Sequence, residues 1–204
     1  MPPPRFTFAN LDINYSANAL KDSRGTALPV KGTYSFWLVE NIFLYAPAHK
    51  ILGARLSSLA MLNWANGSLT ADLANSQFGI NAGGVGITDT WVQPVNLGWH
   101  LPRVDTWVGY AFVAPTGKFS PGSTSNKGSG YWGNNLCSGT TFYVTKNRAT
   151  QMNRATNWEL HGTKRGTNII PGQAFTQEWG IGQIIPIKKD LSKLLQAGVI
   201  GYDQ

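Results

Sequence analysis

Thr150-Gln-Met-Asn-Arg-Ala-Thr-Asn-Trp-Glu-Leu-His161 reads as an extended segment with two unlike sides. Gln151, Asn153, Asn157, Glu159 and His161 fall on one side, and Met152, Trp158 and Leu160 on the other. Side chains alternate across a strand with period two, so this spacing argues for a β-strand with a polar and an apolar face. The segment is also long. Strands of soluble domains average about 5–6 residues. A strand tilted through a hydrocarbon layer needs roughly 9–11.

Working outward, the same character recurs at 5–15, 30–45, 53–64, 85–99, 104–115, 130–145 and 173–187, and again from Leu194 onward. The alternation slips near Glu40 and Asn41, which predicts a bulge there. The connections alternate in length. Residues 16–29, 66–84, 116–129 and 162–172 form long polar loops, while 46–52, 100–103, 146–149 and 187–193 form short turns. A transmembrane barrel places long loops on one rim and short turns on the other. A sandwich with Greek-key crossings has no reason to produce that order. The predicted fold is all-β: an up-and-down antiparallel transmembrane β-barrel, a single domain over 1–204.

Composition agrees. Charged residues make up 13% of the 204 residues, against about 25% in soluble domains. Aromatics reach 12%, with eight Trp and 23 Gly, yet no run approaches a membrane helix. A soluble β-sandwich or jelly roll shares the aromatic, strand-rich composition and stays open as the alternative. The net charge is +7, but the Lys and Arg are scattered through loops and turns. No basic helix or RNA-binding signature accompanies them, so nucleic acid is not an expected partner. Cys137 stands alone, which excludes an internal disulfide and fits a buried structural residue. The opening Met-Pro-Pro-Pro-Arg-Phe lacks the pattern of a secretory leader. About nine strands are counted, whereas single-chain bacterial barrels have an even number. The barrel reading therefore expects a leader and further C-terminal strands beyond this sequence.

Several stretches fit together. Leu97-Gly98-Trp99 follows Pro94, and Gly109-Tyr-Ala-Phe-Val-Ala-Pro-Thr-Gly117 ends a strand at a loop. Gly130-Tyr-Trp-Gly133 opens the next strand. Gly166-Thr167 and Pro171-Gly-Gln173 precede Glu178-Trp-Gly180, and Val199-Ile-Gly-Tyr202 closes the set. Together these resemble the family named for the meta-pathway of phenol degradation, a group of outer-membrane transporters. The resemblance covers about residues 5–204 and is densest over 83–204. It implies a Gram-negative outer-membrane, porin-like barrel that helps small hydrophobic or aromatic compounds enter. It brings no catalytic residues with it.

The residues themselves give little enzyme chemistry. His49, His100 and His161 lie in or beside turns and loops, and no Gly-x-Ser-x-Gly elbow is present. No His or Cys cluster has metal-ligand spacing, and no cofactor is expected. Gly83-Gly-Val-Gly86 lacks the Lys-Ser/Thr and the helix of a phosphate loop, so it reads as a strand start. The predicted lumen-lining set is Asp12, Glu40, Arg55, Asn157, Glu159, His161 and Glu178. Glu159 is expected inside, paired with a cation such as Arg55 or hydrogen-bonded to its neighbours, because a lipid-facing carboxylate is costly. Tyr15, Tyr45, Trp64, Trp91, Trp99, Tyr110, Trp132, Trp158 and Trp179 are expected as an interfacial girdle. The expected partners are a small hydrophobic or aromatic solute and membrane lipid; the oligomeric state stays open. A lipid-hydrolysing barrel enzyme and a structural or adhesive barrel are the competing functions.

Overall fold

The computed structural model describes residues 4–19, 21–22, 24–27, 30–73, 79–188 and 192–204. Parts of the expected connections 16–29, 66–84 and 187–193, Lys189 among them, lie outside the described residues. Eleven strands form one sheet: β1 (Arg5–Ala17), β2 (Val30–Ala46), β3 (Lys50–Ile51), β4 (Ala54–Leu73), β5 (Gly79–Ile87), β6 (Thr90–His100), β7 (Val104–Ala114), β8 (Gly133–Tyr143), β9 (Thr150–His161), β10 (Ala174–Pro186) and β11 (Leu194–Asp203). The spatial order is β1-β2-β4-β6-β7-β8-β9-β10-β11, with β3 and β5 both paired to β4. All pairings are antiparallel. Because β5 and β6 run on from one another along β4, the wall is nine strands wide, as the alternation of segments implies.

The sheet curls into a half-barrel. Leu59 and Met61 on β4 line the same cleft as Thr176 and Glu178 on β10. In a flat sheet five strand spacings would hold them about 24 Å apart. No second sheet packs against this one among the described residues. The buried apolar side chains there are small: Ala46, Ala54, Ala111 and Cys137. A soluble sandwich buries large side chains between two sheets, so that alternative fails. β1 pairs only with β2 and β11 only with β10, so these strands leave the barrel open along one side.

The rims fall where loop length puts them. On one rim, Gly83 N donates to Thr124 O, Gly162 N to Trp132 O and Arg165 N to Gly130 O, so three long connections touch. On the other, Tyr143 N donates to Arg103 O and Ile184 N to Ala149 O. The loop at 116–129 and the turn at 146–149 lie at opposite ends of β8.

Two local expectations are corrected. The register of β2 runs unbroken through Glu40 and Asn41 against both neighbours. The irregularity sits instead between Val92 and Val95 in β6. Pro94 lies there and has no N–H for the ladder, so the strand must bulge; Ser58 Oγ donates to the freed Pro94 O at 2.6 Å. Second, much of the expected loop 66–84 is a hairpin arm. β4 continues to Leu73 and pairs with both β2 and β5. Ser35–Ser68 and Thr33–Thr70 hydroxyl pairs, each at 3.0 Å, join its flank to β2. Polar alternation of this kind resembles loop composition in the sequence but satisfies a cross-strand ladder.

The short-turn rim is strained and then held. Arg148 has φ 58°, a left-handed conformation that costs about 1–2 kcal/mol. Its guanidinium bonds His100 Nε2 at 3.2 Å and the carbonyls of Leu101 and Pro102, and stacks 4.6 Å from the Tyr143 ring centre. His100 Nδ1 pairs with Asp105, which also accepts from the Tyr143 hydroxyl at 2.8 Å. Leu52 has φ 51° beside Gly53 at 77°. Ile51 pairs with Ala54, so this is a two-residue turn of the type that favours Asn-Gly. Leu52 is 86% exposed and packs on nothing that its loss would expose. Leu52→Asn should therefore raise the unfolding free energy by about 1 kcal/mol, read as a higher urea midpoint in detergent. An unchanged or lower midpoint would show that the turn carries no such strain.

Candidate functional site

Register assigns every strand residue to a side. Directly opposed residues of an antiparallel pair share a face. The convex side carries Trp64, Val108, Leu136, Trp158, Trp179 and Ile181, all exposed and apolar. The polar side chains there are mostly matched in cross-strand pairs: Asn10 with Asn41, Ser138 with Thr156, Thr106 with Thr140, and Arg154 with Gln177 Oε1 at 3.0 and 2.6 Å.

The concave side is of two kinds. Across β1 and β2 it is mostly apolar apart from Glu40, with Leu11, Ile13, Tyr15, Phe36, Leu38 and Ile42 in register. From β6 to β10 it is polar: Gln93, Asn96, Asn135, Asn157 and Glu178 share that face. Glu40, Arg55, Asn157, Glu159, His161 and Glu178 all lie on the concave side. Asp12 does not. It opposes Val39, while Leu11 opposes Glu40, so Asp12 and Glu40 point to opposite faces. Asp12 is on the convex side, where it accepts from Trp37 Nε1 at 3.2 Å. Each residue sits on the polar side of its own strand, but only the register between strands decides whether those sides coincide. The aromatic set divides by the same rule. Tyr15 and Trp91 are concave, Trp132 lies in the 115–132 loop, and Tyr45, Trp64, Trp99, Tyr110, Trp158 and Trp179 are convex.

Three of the expected site residues meet. Asn157 Nδ2 donates to Glu159 Oε1 at 2.9 Å, and His161 Nε2 lies 3.3 Å from Glu159 Oε2. His161 Nδ1 reaches Gly172 O at 2.7 Å. The imidazole has an oxygen beside each ring nitrogen. Glu159 thus takes its partners from its own strand. Arg55 lies beside the β3–β4 turn, at the other rim. Glu40 opposes Asn63, and Glu178 opposes Ala155.

Two clefts of about 460 Å³ each run along the concave wall and share Trp107, Ala155 and Glu178. One is bounded by Leu59, Met61, Trp91 and Trp107 together with Gln93 and Asn157. Gln93 is 8% exposed, and among the described residues its Nε2 has no hydrogen-bond partner. A buried donor without a partner is costly. Trp107 lies flat over Gly139, where any Cβ would collide with the indole. Sequence reasoning missed Trp91, Gln93 and Trp107, because an aromatic on a strand signals its face only once the register is known.

It also missed Asp89. This residue sits in the break between β5 and β6 and fastens both ends of the 115–132 loop. Its Oδ1 accepts from Gly117 N at 2.9 Å, and its Oδ2 from Ser129 N and Oγ at 2.6 Å each. Gly117 and Gly128 pack backbone to backbone beside it, leaving no room for a side chain at either. From there the loop turns over the concave face, where a Cβ on Gly86 would meet Lys127 Cγ at 3.1 Å. It also packs on the 162–173 loop, with Lys164 Nζ 5.1 Å from the Phe119 ring centre. Tyr131 lies against His161, ring centres 4.9 Å apart. Burial above all, then the charges of Glu159 and Asp89, pushes its phenol pKa up.

Hydrogen bonds to a charged acceptor contribute about 1.5–3 kcal/mol each. Asp89→Ala should therefore release the loop while the strands stay paired. Trypsin cleavage after Lys118 and Lys127 should speed up by about tenfold or more, equivalent to at least about 1.4 kcal/mol of lost local stability. Equal cleavage rates in wild type and variant would show that Asp89 does not hold the loop.

A family model described as "Putative MetA-pathway of phenol degradation" matches residues 17–204. No curated protein matches the chain, and no solved structure does. The match takes in every strand from β2 to β11, the Asp89 clamp, the loop it fastens and both clefts of the concave wall. The chain belongs to the MetA-pathway phenol-degradation family.

Proposed function

We propose that this chain forms the wall of a bacterial outer-membrane channel through which small hydrophobic or aromatic compounds pass without energy input. The observation that carries this reading is the contrast between the two sides of one sheet. Exposed Trp, Phe, Leu and Ile cover the convex side, where lipid would lie. The concave side joins an apolar wall on β1 and β2 to a polar one on β6 to β10. A solute with a ring and one polar group can move along such a lumen without leaving either part of itself unmatched. The cleft between Trp91 and Trp107, with the Gln93 amide aimed into it, has that chemistry.

The role is non-enzymatic in this proposal. His161 and His100 each have both ring nitrogens engaged, His161 by Glu159 and Gly172 and His100 by Asp105 and Arg148. Cys137 Sγ donates to Asn157 Oδ1 and faces no histidine. An acyl-transfer site needs a nucleophile in reach of a free base. The exposed apolar side chains of the convex side and family membership are the further supports for an outer-membrane location.

A strain lacking the protein should grow several-fold more slowly than its parent on small aromatic hydrocarbons at limiting concentration. Its growth on acetate should be unchanged. Glu159→Gln should restore growth only in part while reaching the outer membrane in normal amount, because the Asn157 and His161 contacts stand on the lumen side. Unchanged growth on every aromatic would overturn the passage reading. Loss of Glu159→Gln from the membrane would place Glu159 in folding rather than in the lumen.

A further inference from the structure

The loop-side mouth holds a third cleft, of about 350 Å³, between the apolar half of the concave wall and the clamped loop. Tyr34, Phe36, Leu38 and Leu69 form its wall, and Asn126 and Lys127 form its lip. Tyr15 backs it, with ring centres 5.6 Å from Phe36 and 6.0 Å from Tyr34. We infer that this cleft binds a small organic anion, an apolar ring carrying a carboxylate, with Lys127 as the group that selects the charge. The inference rests on the channel reading for its placement at an entrance, and it names the solute class that this entrance prefers.

Three observations support it. First, Lys127 is held in place. Its backbone N donates to Lys118 O at 2.9 Å, and the loop on either side is fixed by the Asp89 clamp. Its aliphatic stem lies over Gly84 and Gly86, the glycine run that leads into β6. Glycine there leaves a slot that a side chain would fill, so the run serves the lysine and not a phosphate. Apolar stems commonly lie along such surfaces with the charged end free. Second, the Lys127 ammonium has no hydrogen bond or ion pair among the described residues, whereas Lys118 Nζ is taken by Ser125 Oγ at 3.4 Å. Asp89, the carboxylate that clamps this loop, is occupied by three donors. Third, residues 115–132 and 162–173 carry Lys118, Lys127, Lys164 and Arg165 and no Asp or Glu. Two neighbouring loops of one charge sign raise the local concentration of opposite ions. An apolar wall alone would take any hydrophobic compound. A fixed, unpaired ammonium at its lip favours one that carries a negative charge.

The test uses detergent-solubilised full chain and three probes of similar size: benzoate, benzyl alcohol and benzylamine, with binding measured by calorimetry. Wild type should bind benzoate at least tenfold more tightly than either other probe. Lys127→Met keeps the apolar stem and should erase that advantage while changing benzyl alcohol affinity less than twofold. Lys118→Met should keep most of the advantage. The inference is overturned if wild type does not prefer benzoate, if Lys127→Met retains the preference, or if both lysine variants lose it equally, which would mark a general charge effect. Loss of benzoate selectivity in Lys127→Met, together with unchanged growth of the deletion strain on aromatics, would leave the anion cleft standing and refute the passage reading.

Discussion

Pairing of backbone groups across neighbouring strands is the constraint on which this molecule depends. In the proposed membrane setting no water satisfies a free N–H or C=O, so each strand must find its partners in the next. Here that pairing runs from β1 to β11 with few breaks. Once it is set, the side of every side chain is set too. The convex and concave surfaces, the clefts and the placement of Trp107 over Gly139 follow from which residue opposes which. The one place where pairing must yield is Pro94, and the bulge there is confined to β6. β7 and every strand after it keep a consistent alternation.

The break between β5 and β6 has a different use. Asp89 stands where the ladder pauses and directs its carboxylate at three donors of a distant loop. Loops on the open rim of a barrel are ordinarily free to move. Fastening one at both ends brings it across the concave face and gives its residues fixed positions. Gly117 and Gly128 are needed at that closure because their backbones touch. The same economy of side chains recurs at Gly84 and Gly86, which admit the stem of Lys127. These glycines mark places where another part of the chain lies close.

Much of the fold was legible in the sequence. Period-two segments such as Thr150–His161 and the alternation of loop lengths gave the strand count, the antiparallel order and the two rims. Those signals are local, and each survives an error of a residue or two. The site was less legible because it depends on relations between strands. Asp12 and Glu40 each look lumen-facing alone, and only the β1–β2 register separates them. The polar run after Trp64 resembled a loop because this hairpin arm carries polar residues of loop-like composition. Asp89, Gln93 and Lys127 left no motif at all, since each acts through a partner far away in the chain. Glu159 and His161 were found because they share a strand face with Asn157 and need no other strand to meet.

The account turns on one point: alternate residues of a single strand face lipid and water. The direct test places a nitroxide label singly at positions 151 to 158 of β9 in protein reconstituted into bilayers, with Cys137 replaced by Ala. Collision rates with oxygen, which concentrates in lipid, and with a water-soluble nickel chelate are then compared along the strand. Labels at 152, 154, 156 and 158 should favour oxygen, and those at 151, 153, 155 and 157 the nickel chelate, with a period of two. A reversed pattern would turn the barrel wall inside out. A pattern without alternation, with the nickel chelate reaching every position, would contradict a membrane-spanning strand altogether.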